Sequence, residues 1–209
     1  MAYAIPGATE PVLVETVREA RGLGTSSLWL EELVLSSVLF VGFPRALVAA
    51  AALRAVEPHT GEGAEAGDYD RWREWLERGE VTGRRIYGDR YDQLMRNVAA
   101  LHPALARWIV VDGYGRTVGR PALDLTHREL CAIAMLVSQD APRQLRAHLR
   151  GALNVGASAG QVEAVLALAG AASVPASRIA AARALWRGVS PSGAGAAPDE
   201  PDHRPTAGG

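Results

Sequence analysis

Two side chains of this sequence have the types and the setting to move a proton, Glu129 and His148. A wheel at 3.6 residues per turn puts Glu129 on one stripe with Ala132, Ile133 and Leu136. His148 falls on the apolar side of the next helical segment, beside Ala141 and Gln144, while Arg143, Arg146 and Arg150 share a different stripe. A carboxylate and an imidazole on facing helices can hold and deliver a proton near neutral pH. Cys131 is the only cysteine, so no disulfide can form within the chain. It lies about 200° around the helix from Glu129 and reads as a small buried apolar residue.

The elements that must position these groups can be read from the same stretch. Thr126 and Glu129 fit a capping box that opens an apolar run, Leu130–Val137, expected to be a buried helix. Asp140 is the expected cap of the next helix, with Pro142 in its first turn and Gly156 at its end. Ser158 and Gln161 form a further capping box. A short turn between the first two helices brings their inward faces together as an αα-hairpin. This predicts Glu129 within one water's reach of His148, in a mostly apolar pocket opened between subunits.

This segment resembles the carboxymuconolactone decarboxylase family, whose superfamily includes the AhpD-type alkylhydroperoxidases. The resemblance is carried by Arg120-Pro121, Leu123-Asp124, Arg128-Glu129-Leu130, the run His148 to Asn154, and Gly156-Ala157-Ser158. Upstream it extends through Gly83 to Asp89 and Tyr114-Gly115, so it covers roughly residues 70 to 186. It implies an all-α, AhpD-like helical bundle and a cofactor-independent lyase acting on a small carboxylated lactone or ring compound, with no metal. His148 matches the position used in proton transfer there. Arg120, Arg128 and Arg150 match the pattern as cations for the substrate's carboxylates, for which arginine's fork is well shaped. Arg150 points away from His148 on its own helix and could serve only a neighbouring subunit's pocket. The resemblance also implies self-association as a trimer or hexamer.

Two other functions compete. One is a non-catalytic oligomeric binding or scaffold protein of the same fold. The other, ranked third, is alkylhydroperoxidase-like antioxidant activity. The AhpD-type relatives carry a Cys-x-x-Cys upstream of the histidine, where this chain has Ala141 and Gln144. A lone thiol cannot be both attacking and resolving sulfur.

Composition narrows the classes further. With 48% hydrophobic and 22% charged residues the chain reads as an ordinary globular one. A formal net charge of −1 leaves no electrostatic footprint for nucleic acid or an acidic membrane surface. No signal peptide is evident, and the apolar run near Leu33 to Phe43 is interrupted by Ser36-Ser37, so a cytoplasmic location is the expectation.

Taken in order, residues 1 to 8 read as a loose end, and helices follow from Thr9, from Ser26 or Ser27, and from Pro44 to about Val56. Residues 1–56 form an N-terminal helical half-repeat, 57–68 a Gly/Glu/Ala-rich linker, 69–188 the decarboxylase-like domain and 189–209 a disordered tail. Gly113, Gly115 and Gly119 are expected to break the chain ahead of the central helices. The half-repeat rests on a shared pattern. Gly24-Thr25-Ser26, a proline break at Pro44 and a second helix parallel Gly156-Ala157-Ser158, Pro175 and the last helix.

Overall fold

Every regular element of the computed structural model is helical, and the residues described are 1–58 and 69–190. The order is α1 (Glu10–Gly22), α2 (Ser27–Val56), α3 (Trp72–Tyr87), α4 (Tyr91–Leu101), α5 (Pro103–Trp108), a π-helix (Ile109–Val118), α6 (Leu125–Gln139), α7 (Pro142–Asn154), α8 (Ala159–Ala171) and α9 (Ala176–Arg187). The linker residues 59–68 and the tail from 191 lie outside the described residues.

Helix α6 is the axis of the bundle. From Leu130 to Val137 its side chains are buried, apart from the partly exposed Cys131. Ile133, Leu136 and Val137 pack with α7, α8 and α9 through Leu145, Leu149, Val162, Leu166 and Trp186. Met135 and Cys131, on the opposite side, join an N-terminal cluster of Leu13, Val17, Leu30, Leu33 and Leu53. A helix apolar all round is thus covered from both sides. The N-terminal half and the family-like part share one core through it.

Several local expectations change. Residues 1–8 are not loose: Ile5 is fully buried, the Tyr3 hydroxyl donates to the Val165 carbonyl at 2.8 Å, and Arg45 donates to the carbonyls of Ile5 and Ala8. Helix α6 starts two residues earlier than expected. Asp124 caps it by accepting the His127 amide at 3.0 Å, which releases Glu129 from capping duty. Thr126 instead donates to the Val155 carbonyl at 2.8 Å and ties α6 to the end of α7. Asp140 does not open α7, whose N-cap position is Ala141; it closes α6 in the left-handed region, φ 58°. The Ser158–Gln161 box is present as expected.

The largest departure lies at the glycines. Where Gly113, Gly115 and Gly119 suggested a break, the chain continues as a ten-residue π-helix. The glycines are needed for contact rather than for interruption. A Cβ on Gly115 would fall onto the Trp75 carbonyl, and one on Gly79 onto the Val110 carbonyl. Helix α3 and the π-helix therefore touch backbone to backbone.

The two stretches that share the motif also share local features. Both α1 and α7 have 13 residues. After α1 the Thr25 amide bonds to the Ala20 carbonyl at 3.0 Å, and after α7 the Ala157 amide bonds to the Ala152 carbonyl at 2.8 Å. Gly24 and Gly156 are both left-handed, and Ser26 and Ser158 both cap the next helix. That helix breaks at Gly42 (φ 69°) in one copy and at Ser173 (φ 58°) in the other. By length and composition alone α2 could cross a membrane, but Gly42 and Pro44 divide it into arms of 27–41 and 43–56. Each arm is shorter than the roughly 20 residues a span needs.

Candidate functional site

The turn between α6 and α7 is short, and the faces it brings together carry the acid and the imidazole. His148 Nδ1 lies 2.8 Å from Glu129 Oε2. Direct contact replaces the bridging water allowed for in the sequence reading. Glu129 is 2% exposed, and its Oε2 is turned to this ring. Phe40, from the first arm of α2, packs edge-on to the imidazole with centroids 5.4 Å apart. With Nδ1 engaged, Nε2 is the atom left to face a ligand.

The close approach of α7 to α6 and α3 depends on Gly151. A Cβ there would stand 2.8 Å from Glu129 Oε2 and 2.8 Å from the Ile86 side chain. The Asn154 amide donates to the Ile86 carbonyl at 2.8 Å and fixes the end of α3 beside this glycine. The next residue, Tyr87, meets Tyr114 of the π-helix, hydroxyl to hydroxyl at 2.9 Å and ring edge to face at 5.7 Å. Burial, with the Glu129 carboxylate contributing, pushes the Tyr87 phenol well above its usual range; Tyr114 is pushed up mainly by burial and by Tyr87, with Glu129 adding.

The three arginines do not join this pair as a group. Arg128 is 3% exposed and its guanidinium is held on every side: Nε donates to the Leu123 carbonyl at 2.8 Å, one terminal nitrogen to Ser36 at 2.6 Å, and the other to Glu32 at 2.7 Å and the Arg120 carbonyl at 3.1 Å. Arg120 Nε meets both oxygens of Glu32, at 2.8 and 3.1 Å. Both guanidiniums are thus drawn onto a buried carboxylate of α2, because a fully buried acid needs that compensation. Where the resemblance implied cations for the substrate's carboxylates, both guanidiniums here meet the carboxylate of Glu32. Arg150 lies on α7 two residues beyond His148, about 200° around the helix.

Glu32, Tyr87, Tyr114 and Phe40 carry much of this region, and the sequence reading gave none of them a role. An acid inside an apolar helix, with an arginine inside another, was a usable signal: buried charges occur in pairs. A second acid–imidazole contact, Asp124–His127 at 2.7 Å, caps α6 at the surface, where His127 also stacks on Trp29 at 4.6 Å. Its exposure and capping bond separate it from the buried pair. Burial pushes the Cys131 thiol up to about 11, which keeps it protonated and unreactive at neutral pH. Among the described residues no three His, Cys, Asp or Glu side chains group as a metal site. A groove of about 390 Å³ between α3, α4, α5 and the π-helix, lined by Leu76, Glu80, Met95, Arg96 and Arg107, touches none of the chemistry-bearing residues.

The fold and the pair define an all-helical bundle with one buried carboxylate–imidazole contact between consecutive helices. Residues 103–187 match the carboxymuconolactone decarboxylase family model. Over 136 residues the chain is 32% identical to "Peroxisomal protein 2" of Schizosaccharomyces pombe, covering 64% of this chain and 63% of that protein. A second relative of the same name, from Saccharomyces cerevisiae, is 38% identical over 85 residues, 40% of this chain and 30% of that protein. The chain thus spans less than two thirds of the length of these curated relatives.

Proposed function

We propose that this protein is a cofactor-independent lyase that removes CO2 from a small carboxylated lactone or related ring compound. The observation that carries the reading is the 2.8 Å contact between His148 Nδ1 and Glu129 Oε2, buried on the acid's side. Glu129 orients the ring through Nδ1, and Nε2–H is then the acid presented to substrate. As the bond from ring carbon to carboxylate breaks, CO2 leaves and the electron pair passes into the unsaturated lactone as an enolate. Nε2 delivers its proton to that carbon, the histidine becomes neutral, and solvent returns the proton.

The test is turnover of carboxylated unsaturated lactones by the full chain and by His148→Ala. Loss of roughly 10²–10⁴-fold in kcat, the usual contribution of a positioned acid, is expected with the fold unchanged. Normal turnover by the variant would make His148 a core residue. No turnover by the parent chain would favour the non-catalytic alternative, an oligomeric binding or scaffold protein. The relatives' printed names specify no decarboxylase activity, so the lyase reading rests on the family and the pair. Their names say peroxisomal, which gives the expected cytoplasmic address no support. A fluorescent fusion in the native host decides between the cytoplasm and an organelle, and co-localisation with a peroxisomal marker is the outcome the relatives favour.

A further inference from the structure

The two phenols beside Glu129 leave a proton without an acceptor. Tyr87 and Tyr114 share one hydrogen bond, at 2.9 Å, and two hydroxyls bring two protons. Among the described residues neither hydroxyl has a second partner. Tyr114 is only 9% exposed and packs in a cluster with Ile86 and Val118, whereas Tyr87 is half-buried at its edge. Either phenol can donate in the shared bond, but only Tyr87 stands at the edge of the cluster, so with Tyr114 donating inward the proton offered outward is that of Tyr87.

Much of the local architecture serves to bring this pair to the site. Tyr114 is carried by the π-helix, an element found often at functional sites. Its position requires the backbone contacts of Gly79 and Gly115, and Gly83 leaves room for its ring: a Cβ there would lie 3.2 Å from it. Tyr87 follows Ile86, whose side chain and Glu129 Oε2 both border the space kept open by Gly151. Meanwhile Arg120 and Arg128 are engaged by Glu32. A lyase site that forms an enolate still needs a donor aimed at the oxygen that gains charge.

We propose that the Tyr87 hydroxyl, held by Tyr114, is that donor, and that the site takes a lactone enolate oxygen on it, opposite the proton delivered by His148. Tyr87 is then a catalytic residue and Tyr114 a positioning residue. No bond to either tyrosine forms or breaks: the phenol proton stays on oxygen while negative charge grows on the lactone carbonyl. Burial that disfavours the phenolate keeps it a donor and not a base across the working pH range. The inference rests on the lyase reading for its choice of ligand.

Tetronate, the enolate of a hydroxylated butenolide and ionised at neutral pH, is the probe; the uncharged parent butenolide is its control. Calorimetry on the full chain should show tetronate bound in preference to the butenolide. Tyr87→Phe should cut that preference roughly 10- to 100-fold, the range for a hydrogen bond to a charged group. Tyr114→Phe should cut it by less, because Tyr87 keeps its proton and loses only its support. Unchanged thermal midpoints separate this from damage to the fold. An undiminished preference in Tyr87→Phe, or no saturable binding of tetronate by the parent chain, would overturn the proposal. The lyase reading fails by a different result, no turnover of carboxylated unsaturated lactones by the parent chain, so the two are separable.

Discussion

Glu32 shows how strongly one buried charge can govern its surroundings. It is 1% exposed and holds Arg120 and Arg128 together from 88 and 96 residues away. Glu32→Ala would leave two buried guanidiniums without their carboxylate, and a loss of about 3–5 kcal/mol is expected. A denaturant melt measures it. A loss below about 1 kcal/mol would mean that water replaces the acid. At this scale the sequence was partly legible. Glu129 and His148 could be paired because helical periodicity places each on an inward face and the turn between them is short. Glu32 stood out as an acid inside an apolar helix, but its particular partners did not, because Arg120 and Arg128 lie far along the chain. Thr126–Glu129 matched a capping box by spacing, yet the helix begins two residues earlier with Asp124 capping the His127 amide, leaving Glu129 to His148.

At the scale of elements, the contact between α3 and the π-helix is the one least tolerant of change. Gly115→Ala would drive a methyl group onto the Trp75 carbonyl, and neither backbone can yield without separating the two helices. The expected cost is at least the roughly 1–3 kcal/mol of ordinary overpacking. The Tyr87–Tyr114 bond should be lost with it, visible as a change in near-ultraviolet circular dichroism. An unchanged spectrum and melt would refute the close approach. The sequence could not separate this role from a break, because glycine is the expected residue both where a chain turns and where two backbones meet. The hairpin α6–α7 and the box that opens α8 were readable for the opposite reason. Their apolar runs are long and their caps are local.

For the molecule as a whole, buried ionisable groups set an alkaline limit. Cys131 is held up to about 11 from an ordinary 9.0, and Tyr3 to about 12 from 10.0, both by burial. Between those pairs of values the unfolded chain releases protons that the folded chain retains, so stability falls as pH rises. The decline should begin near pH 9 and steepen above 10, with phenolate absorbance appearing together with unfolding. Phenolate signal well ahead of unfolding would contradict the burial. Association is the second property at this scale. Leu35, Leu39, Phe43 and Leu47 of α2 are 41–65% exposed, and Leu168 of α8 is 60% exposed. Apolar surface of this extent fits the trimer or hexamer proposed from the family. Light scattering at micromolar concentration should find an oligomer, and a monomer alone would exclude it.

The arginine at the bend of α2 has a meaning during synthesis as well as after it. As the chain leaves the ribosome, residues 33–53 are an apolar run with Arg45 as their only charge. Glu32 must wait for Arg120, 88 residues later, which at ordinary elongation rates is a delay of roughly 4–18 s. Through that interval the run can be sorted by composition, before the core closes over it. A guanidinium in its middle weighs about 2.5–3.5 kcal/mol against insertion into a bilayer. The side chain that later clasps the carbonyls of Ile5 and Ala8 therefore first weighs against insertion of its own helix.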